Sequence, residues 1–222
     1  GQDVGVLGQH IWRHIGQTNF TFDDFAFDRP LENLGQALPG QTYVWNLTAG
    51  KAGEVFGATY PGCRVFRYHP KQGFSDVGKG PLVEGENYVR SLAYHAKTGL
   101  LYAGVGSHAH LIEMNPATGT KNELLPHKYS EQEFVYGLEL VPGKNGEDRL
   151  LALLTASNVT LVYNLKTKTF EQEIKGMDMK AVVTDANTQT VYYTSNKKLM
   201  KFDASKPVSA AKELAADIGT GN

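Results

Sequence analysis

The sequence predicts an all-β fold, and three observations support that prediction. Short apolar runs recur along the 222-residue chain, and its 24 glycines and nine prolines are spread between them as turn residues. The sequence shows no helical pattern of useful length. The runs that begin at Tyr43, Tyr88, Phe134 and Met179 are spaced by 45, 46 and 45 residues. Four short strands per repeat at this period are typical of the blades of a β-propeller.

Each repeat contains four predicted strands in a fixed order. The second apolar runs begin at Val55, Leu101, Leu150 and Val191, and the third runs begin at Val65, Leu111, Leu161 and Leu199. The third run ends in turn residues, as in Asn115–Gly119. A more polar fourth run closes the repeat, as in Phe74–Gly78 and Lys121–Leu125. This order predicts four-stranded antiparallel blades.

Three segments have an ambiguous local pattern. Ala210–Ala216 has a helix-forming composition, but Lys212–Leu214 falls in register with a fourth run two periods earlier, so we predict a strand. Leu31–Gly35 resembles a fourth run, so an earlier repeat ends near position 36. Before it, Gln9–Ile15 is either a strand or a helical turn, and the alternation of phenylalanines over Phe20–Phe27 is broken by two aspartates.

The repeats predict one propeller domain over residues 1–222, with units of approximately 1–40, 41–84, 85–131, 132–176 and 177–222. That is nearly five blades, so the chain forms either a five-bladed ring or part of a larger propeller. The sequence ends where the next first strand is due, which favours the larger propeller with further blades outside this chain. A β-sandwich is the alternative all-β fold, but it does not require internal repetition.

Composition excludes several classes of partner. The 22 Lys+Arg against 23 Asp+Glu give a net charge of −1, which removes a general attraction for nucleic acid or an anionic membrane. No apolar run is long enough to span a bilayer. Cys63 is the one cysteine, so an internal disulfide or a thiolate-rich metal site cannot form. We expect Cys63 to be a small buried apolar residue.

The turn Asn115–Gly119 and the run Gly57–Gly62 resemble bacterial-type β-propeller proteins of the quinoprotein-like and surface-repeat kind, over about residues 31–216. The Trp-Asp, Gly-Gly and repeated-tryptophan signatures of WD40, kelch and quinone-dependent propellers are absent from the repeats, so we expect no cofactor. A looser similarity is to propeller polysaccharide lyases, which use His, Tyr and Arg on one face. The resemblance implies a carbohydrate or other polar ligand, and we predict a secreted or periplasmic location.

The predicted topology brings the distinctive residues to one end of the blades. The loops between second and third strands share that end with the loops that join successive blades, and the first strands begin there. This places Tyr43, Trp45, Tyr88, Arg90 and Tyr136 near the channel mouth, with Tyr60, Arg64, His108 and His110 on the neighbouring loops. We predict that this loop face binds the ligand.

Cleavage of a uronate glycan by β-elimination assigns roles to these residues. His108 or His110 would be the base, and Tyr60 or Tyr88 the acid for the leaving oxygen. Arg64 or Arg90 would hold the carboxylate, because a planar guanidinium matches it bidentately. Trp45 and Tyr136 would complete the substrate-binding surface.

Other interpretations of the same residues remain open. In a purely structural interpretation, Tyr60–Gly62 is only a tight turn and Tyr88 packs between blades. The arginines then pair with acidic residues such as Glu84, Glu86 or Glu133. His108 and His110 are spaced as a ligand pair on a strand, but no third metal ligand is evident, so we predict no metal. His69, His95 and His127 are expected to be exposed. The alternative function is a non-catalytic protein-interaction or scaffold propeller.

Overall fold

A computed structural model describes residues 4–7, 10–14, 31–143 and 146–218 of the protein, and the side chains within 32–143, 146–178 and 181–218. The segment Phe20–Phe27 lies outside the described residues. The strands are β1 Val4–Leu7, β2 His10–His14, β3 Leu31–Gln36, β4 Tyr43–Ala49, β5 Val55–Tyr60, β6 Val65–His69, β7 Gly73–Asp76, β8 Tyr88–His95, β9 Leu100–Gly106, β10 His110–Met114, β11 Lys121–Glu123, β12 Val135–Val141, β13 Arg149–Leu154, β14 Val159–Asn164, β15 Thr169–Lys175, β16 Asp178–Asp185, β17 Thr190–Ser195, β18 Lys198–Asp203 and β19 Lys212–Ala215.

The strands form one three-stranded sheet, β1–β3, and four sheets of four strands, β4–β7, β8–β11, β12–β15 and β16–β19, in the part of the chain that is described. Consecutive strands are neighbours in every sheet and pair in antiparallel register, as in β12–β15. The prediction of an all-β propeller with four-stranded antiparallel blades is therefore confirmed. A short 3-10 helix, His127–Tyr129, precedes β12. Among the described residues, no helix has the length and apolarity needed to cross a membrane.

Two of the ambiguous segments contain strands. In β19, Lys212 pairs with Lys201 and Glu213 pairs with Met200 of β18, so pairing with a neighbouring strand overrides the local helical preference. His10–His14 forms β2, which pairs with β1 and β3. For Lys212–Ala215, the repeat period is thus a better guide than the composition.

The chain divides into two compact units, one of residues 1–103 and 112–122 and one of residues 104–111 and 123–222. In the first unit, Ala37, Leu38 and Phe66 form a buried cluster against which Val44 and Leu47 of β4 pack. In the second unit, a larger core is formed by apolar side chains of two successive blades: Val141, Leu151, Val162, Ile174, Met177, Val191, Tyr193, Phe202 and Ala204. Burial of this apolar surface stabilises each unit.

One glycine illustrates how closely the strands of a blade pack. Gly57 of β5 lies opposite Phe66 of β6, and the phenyl ring covers the glycine Cα. A Cβ at position 57 would lie 2.1 Å from the Phe66 Cζ atom. A methyl group at position 57 therefore requires the buried Phe66 ring to move.

Candidate functional site

A β-bulge in β4 places Trp45 outside the regular pairing of the sheet. Val44 pairs with Thr59 and Asn46 pairs with Ala58, so Trp45 is an extra residue with no partner of its own on β5. Bulges redirect a side chain and frequently border functional sites. The bulge thus marks the position that the sequence predicts to bind substrate.

A second bulge occurs at the corresponding position of a later repeat. In β12, Val135 pairs with Leu154 and Gly137 pairs with Leu153, so Tyr136 is the extra residue. Tyr136 is partly buried and belongs to the second compact unit. The repeat spacing gives Trp45, Arg90 and Tyr136 equivalent positions, since each follows the start of its first run by two residues.

Four aromatic side chains of the first compact unit, Tyr43, Trp45, Tyr60 and Tyr88, form what we term the aromatic cluster. Tyr60 stacks on Tyr88 with ring centroids 4.5 Å apart, and Tyr43 stacks on Trp45 at 5.7 Å. Tyr43–Tyr60 and Trp45–Tyr88 contacts of 6.1 and 6.2 Å join the two pairs. Tyr43 and Trp45 are nevertheless 54% and 40% exposed, so the cluster presents aromatic surface to solvent.

Arg90 and the tyrosine hydroxyls give the aromatic cluster its polar groups. The guanidinium carbon of Arg90 lies 4.9 Å from the centre of the Trp45 ring, a cation–π contact. A hydrogen bond with Tyr60 is the largest cause that raises the pKa of Tyr88, and partial burial raises it further. Tyr88 is therefore protonated at neutral pH and can donate a hydrogen bond or a proton. The structure brings together Trp45, Tyr60, Tyr88 and Arg90, four of the predicted site residues.

Gln41 holds the loop that follows Tyr60. Its Oε1 atom accepts hydrogen bonds from the Thr59 hydroxyl at 2.7 Å and from the Gly62 amide at 3.0 Å. The amide of Cys63 donates to the Asn87 carbonyl at 3.0 Å, next to Tyr88. Cys63 is buried as expected, and this burial raises the pKa of its thiol to about 11. These contacts fix the loops that position Tyr60 and Tyr88.

Arg64 is bound within its own blade. Its Nη1 atom lies 2.9 Å from Asp76 Oδ2, and the same carboxylate oxygen accepts the Gly80 amide at 3.1 Å. The structural interpretation of the sequence expected a glutamate as the partner of Arg64. The partner is instead an aspartate at the end of β7, three strands from β4 in the sheet. A role for Arg64 in holding a substrate carboxylate stays a prediction.

The two predicted catalytic histidines belong to the second compact unit. His108 is exposed in the turn between β9 and β10. His110 begins β10, and its Nδ1 atom lies 2.7 Å from Glu123 Oε2 in β11. The other Glu123 oxygen accepts the amides of Leu111 and Leu125 at 3.1 and 2.8 Å. A carboxylate held in this way orients the imidazole and leaves Nε2 as the nitrogen that can act as a base.

Two further observations concern the histidines. No group of three or more His, Cys, Asp or Glu side chains that could hold a metal ion occurs among the described residues. His95 was expected to be exposed, and this expectation is wrong: the residue is buried, with Nδ1 2.8 Å from the Thr98 hydroxyl. The position ends β8, but the hairpin that follows it folds Thr98 back over the ring.

Sequence patterns missed the supporting residues Gln41 and Glu123. Gln41 lies in a predicted loop between repeats, where its polarity gave no sign that it would be buried. Glu123 lies in a polar fourth run that was expected only to close the blade. The antiparallel order of β10 and β11 was the one available signal, because it brings a fourth-run residue beside His110.

Comparison with known proteins finds similarity in structure. No protein-family model and no curated protein sequence matches the chain. A catalytically inactive virginiamycin B lyase from Staphylococcus aureus, solved with quinupristin, superposes with a TM-score of 0.65 at 13% identity over 93% of this chain and 62% of the lyase. The chain thus spans less than two thirds of that protein.

Two Bacteroides thetaiotaomicron structures are also similar. The extracellular domain of a one-component system gives a TM-score of 0.55 at 18% identity, covering 86% of this chain and 25% of that one. An auxiliary nutrient binding protein gives 0.52 at 11% identity, covering 93% and 54%. At these identities, the likeness of the three proteins to this chain is one of fold, and that fold is the β-propeller.

Proposed function

We propose that the protein binds a carbohydrate at the aromatic cluster and that the bound sugar carries a carboxylate. The observation that supports this proposal is the solvent exposure of Tyr43 and Trp45 within a closed set of ring contacts. A monomeric protein gains nothing in stability from leaving such surface uncovered, so the cluster suits a ligand.

Sugars match this surface chemically. One face of a pyranose presents polarised C–H groups, which stack on the electron-rich face of an aromatic ring. The hydroxyls at the rim of the sugar can then exchange hydrogen bonds with Tyr60 and Tyr88. Arg90 lies against Trp45, where a guanidinium can pair with the carboxylate of a uronate stacked on the indole. An auxiliary nutrient binding protein among the similar structures is consistent with a binding role.

Affinity electrophoresis in gels that contain polygalacturonate, alginate or a neutral glucan tests the binding proposal. We expect a uronate gel to retard the protein, and Trp45→Ala to weaken the interaction about tenfold or more. Tyr43→Ala should weaken it less. Tyr192→Ala is the matched control, because it removes a partly buried tyrosine from the second compact unit. Unretarded migration in every gel, or equal retardation of Trp45→Ala and the native protein, would contradict the proposal.

Arg90 distinguishes an acidic sugar from a neutral one. Arg90→Gln keeps most of the side-chain length and removes the charge, so we expect it to weaken binding to the uronate glycans but not to the neutral glucan. Loss of both to the same extent would show that Arg90 supports the shape of the cluster and does not hold a carboxylate.

Polysaccharide lyase activity is a second candidate, favoured by the orientation of His110 through Glu123. In β-elimination, a base removes the proton beside the carboxylate, its electron pair forms the double bond, and the C–O bond to the leaving sugar breaks as an acid protonates that oxygen. Ultraviolet absorbance of the unsaturated product measures the reaction. We expect His110→Ala to abolish the rise in absorbance and His108→Ala to reduce it less.

The two candidates and the protein-interaction alternative separate experimentally. Uronate binding without a rise in absorbance leaves a carbohydrate-binding module. Failure to bind any glycan, with capture of a protein ligand that Trp45→Ala abolishes, favours an interaction platform. We further propose that the protein acts outside the cytoplasm, in keeping with the extracellular domain among the similar structures; fractionation of the producing cells tests this.

A further inference from the structure

A cationic cavity lies at one end of the blade β16–β19, apart from every residue of the aromatic cluster in sequence. It has a volume of about 380 Å³, which is within the range of small-molecule sites. Three lysines line it, Lys201, Lys206 and Lys212, together with Thr188, Thr190 and Ser209. We refer to it as the lysine cavity.

Two of the lysines face each other across neighbouring strands. Lys201 and Lys212 are register partners in β18 and β19, and like charges in directly opposed positions repel. Within the described part of the chain, neither lysine forms an ion pair. Glu213, the acidic residue next to Lys212, instead binds Lys198 at 2.7 Å. The protein therefore holds two uncompensated positive charges at the cavity wall.

The remaining charges of the lysine cavity leave this excess in place. Lys206 pairs with Asp203 at 3.2 Å, and Asp203 is the one acidic residue of the lining. Three lysines and one aspartate give the lining a formal charge of +2, in a chain whose net charge is −1. Such local excess charge attracts an anion of matching charge.

A hydroxyl donor completes the lining. The Thr188 hydroxyl donates its proton to Asp185 at 2.8 Å, so the Thr190 hydroxyl donates its own proton to Thr188 Oγ1 at 3.0 Å. The Ser209 hydroxyl of the lining instead accepts the Asp203 amide at 3.0 Å, and its own proton has no acceptor among the described residues. A ligand oxygen in the cavity can accept that proton. Ammonium groups beside a hydroxyl donor are the groups that hold phosphate oxygens in proteins.

We propose that the lysine cavity binds a phosphate monoester of a soluble small molecule. The phosphate is a dianion at neutral pH, which matches the +2 charge of the lining, whereas a carboxylate or a sulfate ester supplies a single negative charge. The bound oxygens separate the ammonium groups of Lys201 and Lys212 and remove their repulsion. The site is independent of the proposed carbohydrate binding, because it shares no residue with the aromatic cluster.

Calorimetric titration of the full chain with glycerol phosphate tests the proposal. The variant Lys201→Gln/Lys212→Gln should bind at least about tenfold more weakly. Lys51→Gln/Lys71→Gln is the matched control, because it removes the same charge from exposed positions in the first compact unit, and it should bind within twofold of the native protein. Equal weakening in both variants would mean that general charge, and not the cavity, holds the phosphate.

Thermal unfolding supplies a second measurement that does not depend on heat of binding. Glycerol phosphate should raise the midpoint of the native protein and of the control variant, but not of Lys201→Gln/Lys212→Gln. In chloride buffer, the cavity variant should be at least as stable as the native protein, because a repulsive pair has been removed. Lys206→Gln leaves that pair intact and should weaken binding severalfold.

Three results would overturn the proposal. The first is no binding of glycerol phosphate at millimolar concentration. The second is binding of glycerol sulfate as tight as that of glycerol phosphate at equal ionic strength. The third is that the protein does not bind glycerol phosphate but sediments with phosphatidic acid vesicles and not with phosphatidylcholine vesicles. That result would identify a lipid headgroup as the source of the phosphate.

Discussion

The ion pair between Arg149 and Glu171 allows a quantitative test of how the second compact unit is stabilised. The Arg149 side chain is 2% exposed and that of Glu171 is 10% exposed. The Glu171 carboxylate accepts hydrogen bonds from Arg149 Nε at 2.7 Å and from Asn164 Nδ2 at 2.7 Å. Replacing Glu171 by alanine leaves a buried guanidinium without its counter-charge.

The expected loss follows from these contacts. A hydrogen bond to a charged group contributes about 1.5–3 kcal/mol, so the two short bonds together contribute about 3–6 kcal/mol. Breaking a buried ion pair by removing one partner typically destabilises a protein by about 3–5 kcal/mol. With a urea m-value of about 3 kcal/mol/M, the unfolding midpoint of Glu171→Ala should fall by about 1–1.7 M.

Urea unfolding followed by circular dichroism measures this shift. Glu213→Ala is the control, because it removes a carboxylate from the Lys198 pair, whose side chains are 47% and 44% exposed; exposed pairs contribute little, so its midpoint should be nearly unchanged. Arg149→Met/Glu171→Leu should lose less than Glu171→Ala, since it leaves no unpaired charge. Equal midpoints for Glu171→Ala and Glu213→Ala would refute the reasoning.

Three further predictions concern residues whose environment is equally specific. Burial raises the pKa of the Cys63 thiol from 9.0 to about 11, so its contribution to stability is intact below pH 9 and is lost as the pH rises through 11. Over that range the free energy of unfolding of the native protein should fall by up to about 3 kcal/mol more than that of Cys63→Ala. Equal losses for the two proteins in urea unfolding at pH 8 and pH 11 would contradict this. Burial also raises the pKa of Glu139 more than the hydrogen bond from Thr184 lowers it. Ionisation of Glu139 therefore destabilises the protein as the pH rises. Glu139→Gln should then raise the thermal midpoint at pH 7 but not near pH 3.5, and no gain at pH 7 would argue against it. Gly57→Ala should cost about 1–3 kcal/mol by overpacking against Phe66, and Phe66→Leu should restore part of it; strictly additive losses in a double-mutant cycle would exclude this contact as the cause.

The period of the sequence was sufficient to predict the strands, but not the pairs of side chains that build the sites. Lys212–Ala215 shows the strength of the period, because it is a strand in spite of a helix-forming composition. His110 and Glu123, in contrast, meet only through the register of β10 with β11. The sequence does not reveal that register, since bulges such as the one between Leu199 and Met200 shift the pairing by a residue.

The same limit applies to the aromatic cluster. The topology predicted that Tyr60, Tyr88 and Arg90 lie at one end of neighbouring blades. The contacts of Tyr88 and Arg90 with Trp45, and of Tyr60 with Tyr88, agree with that prediction. Tyr43 stacks on Trp45 beside the bulge in β4, and no pattern in the sequence indicates that bulge. The period of the sequence therefore predicts which residues lie at the same end of neighbouring blades. It does not predict which of their side chains are in contact.

The bulges at Trp45 and Tyr136 also have a consequence for how such a protein can change. Because the extra residue of a bulge lies outside the regular register, it can be exchanged while the ladder on either side keeps its pairing. The equivalent residues of the repeats are tryptophan, arginine, tyrosine and alanine at positions 45, 90, 136 and 181. The side chain at this position therefore differs among repeats that share the same strand order. Substitutions there, by evolution or by design, can change the chemistry of the blade without changing the pairing of its strands.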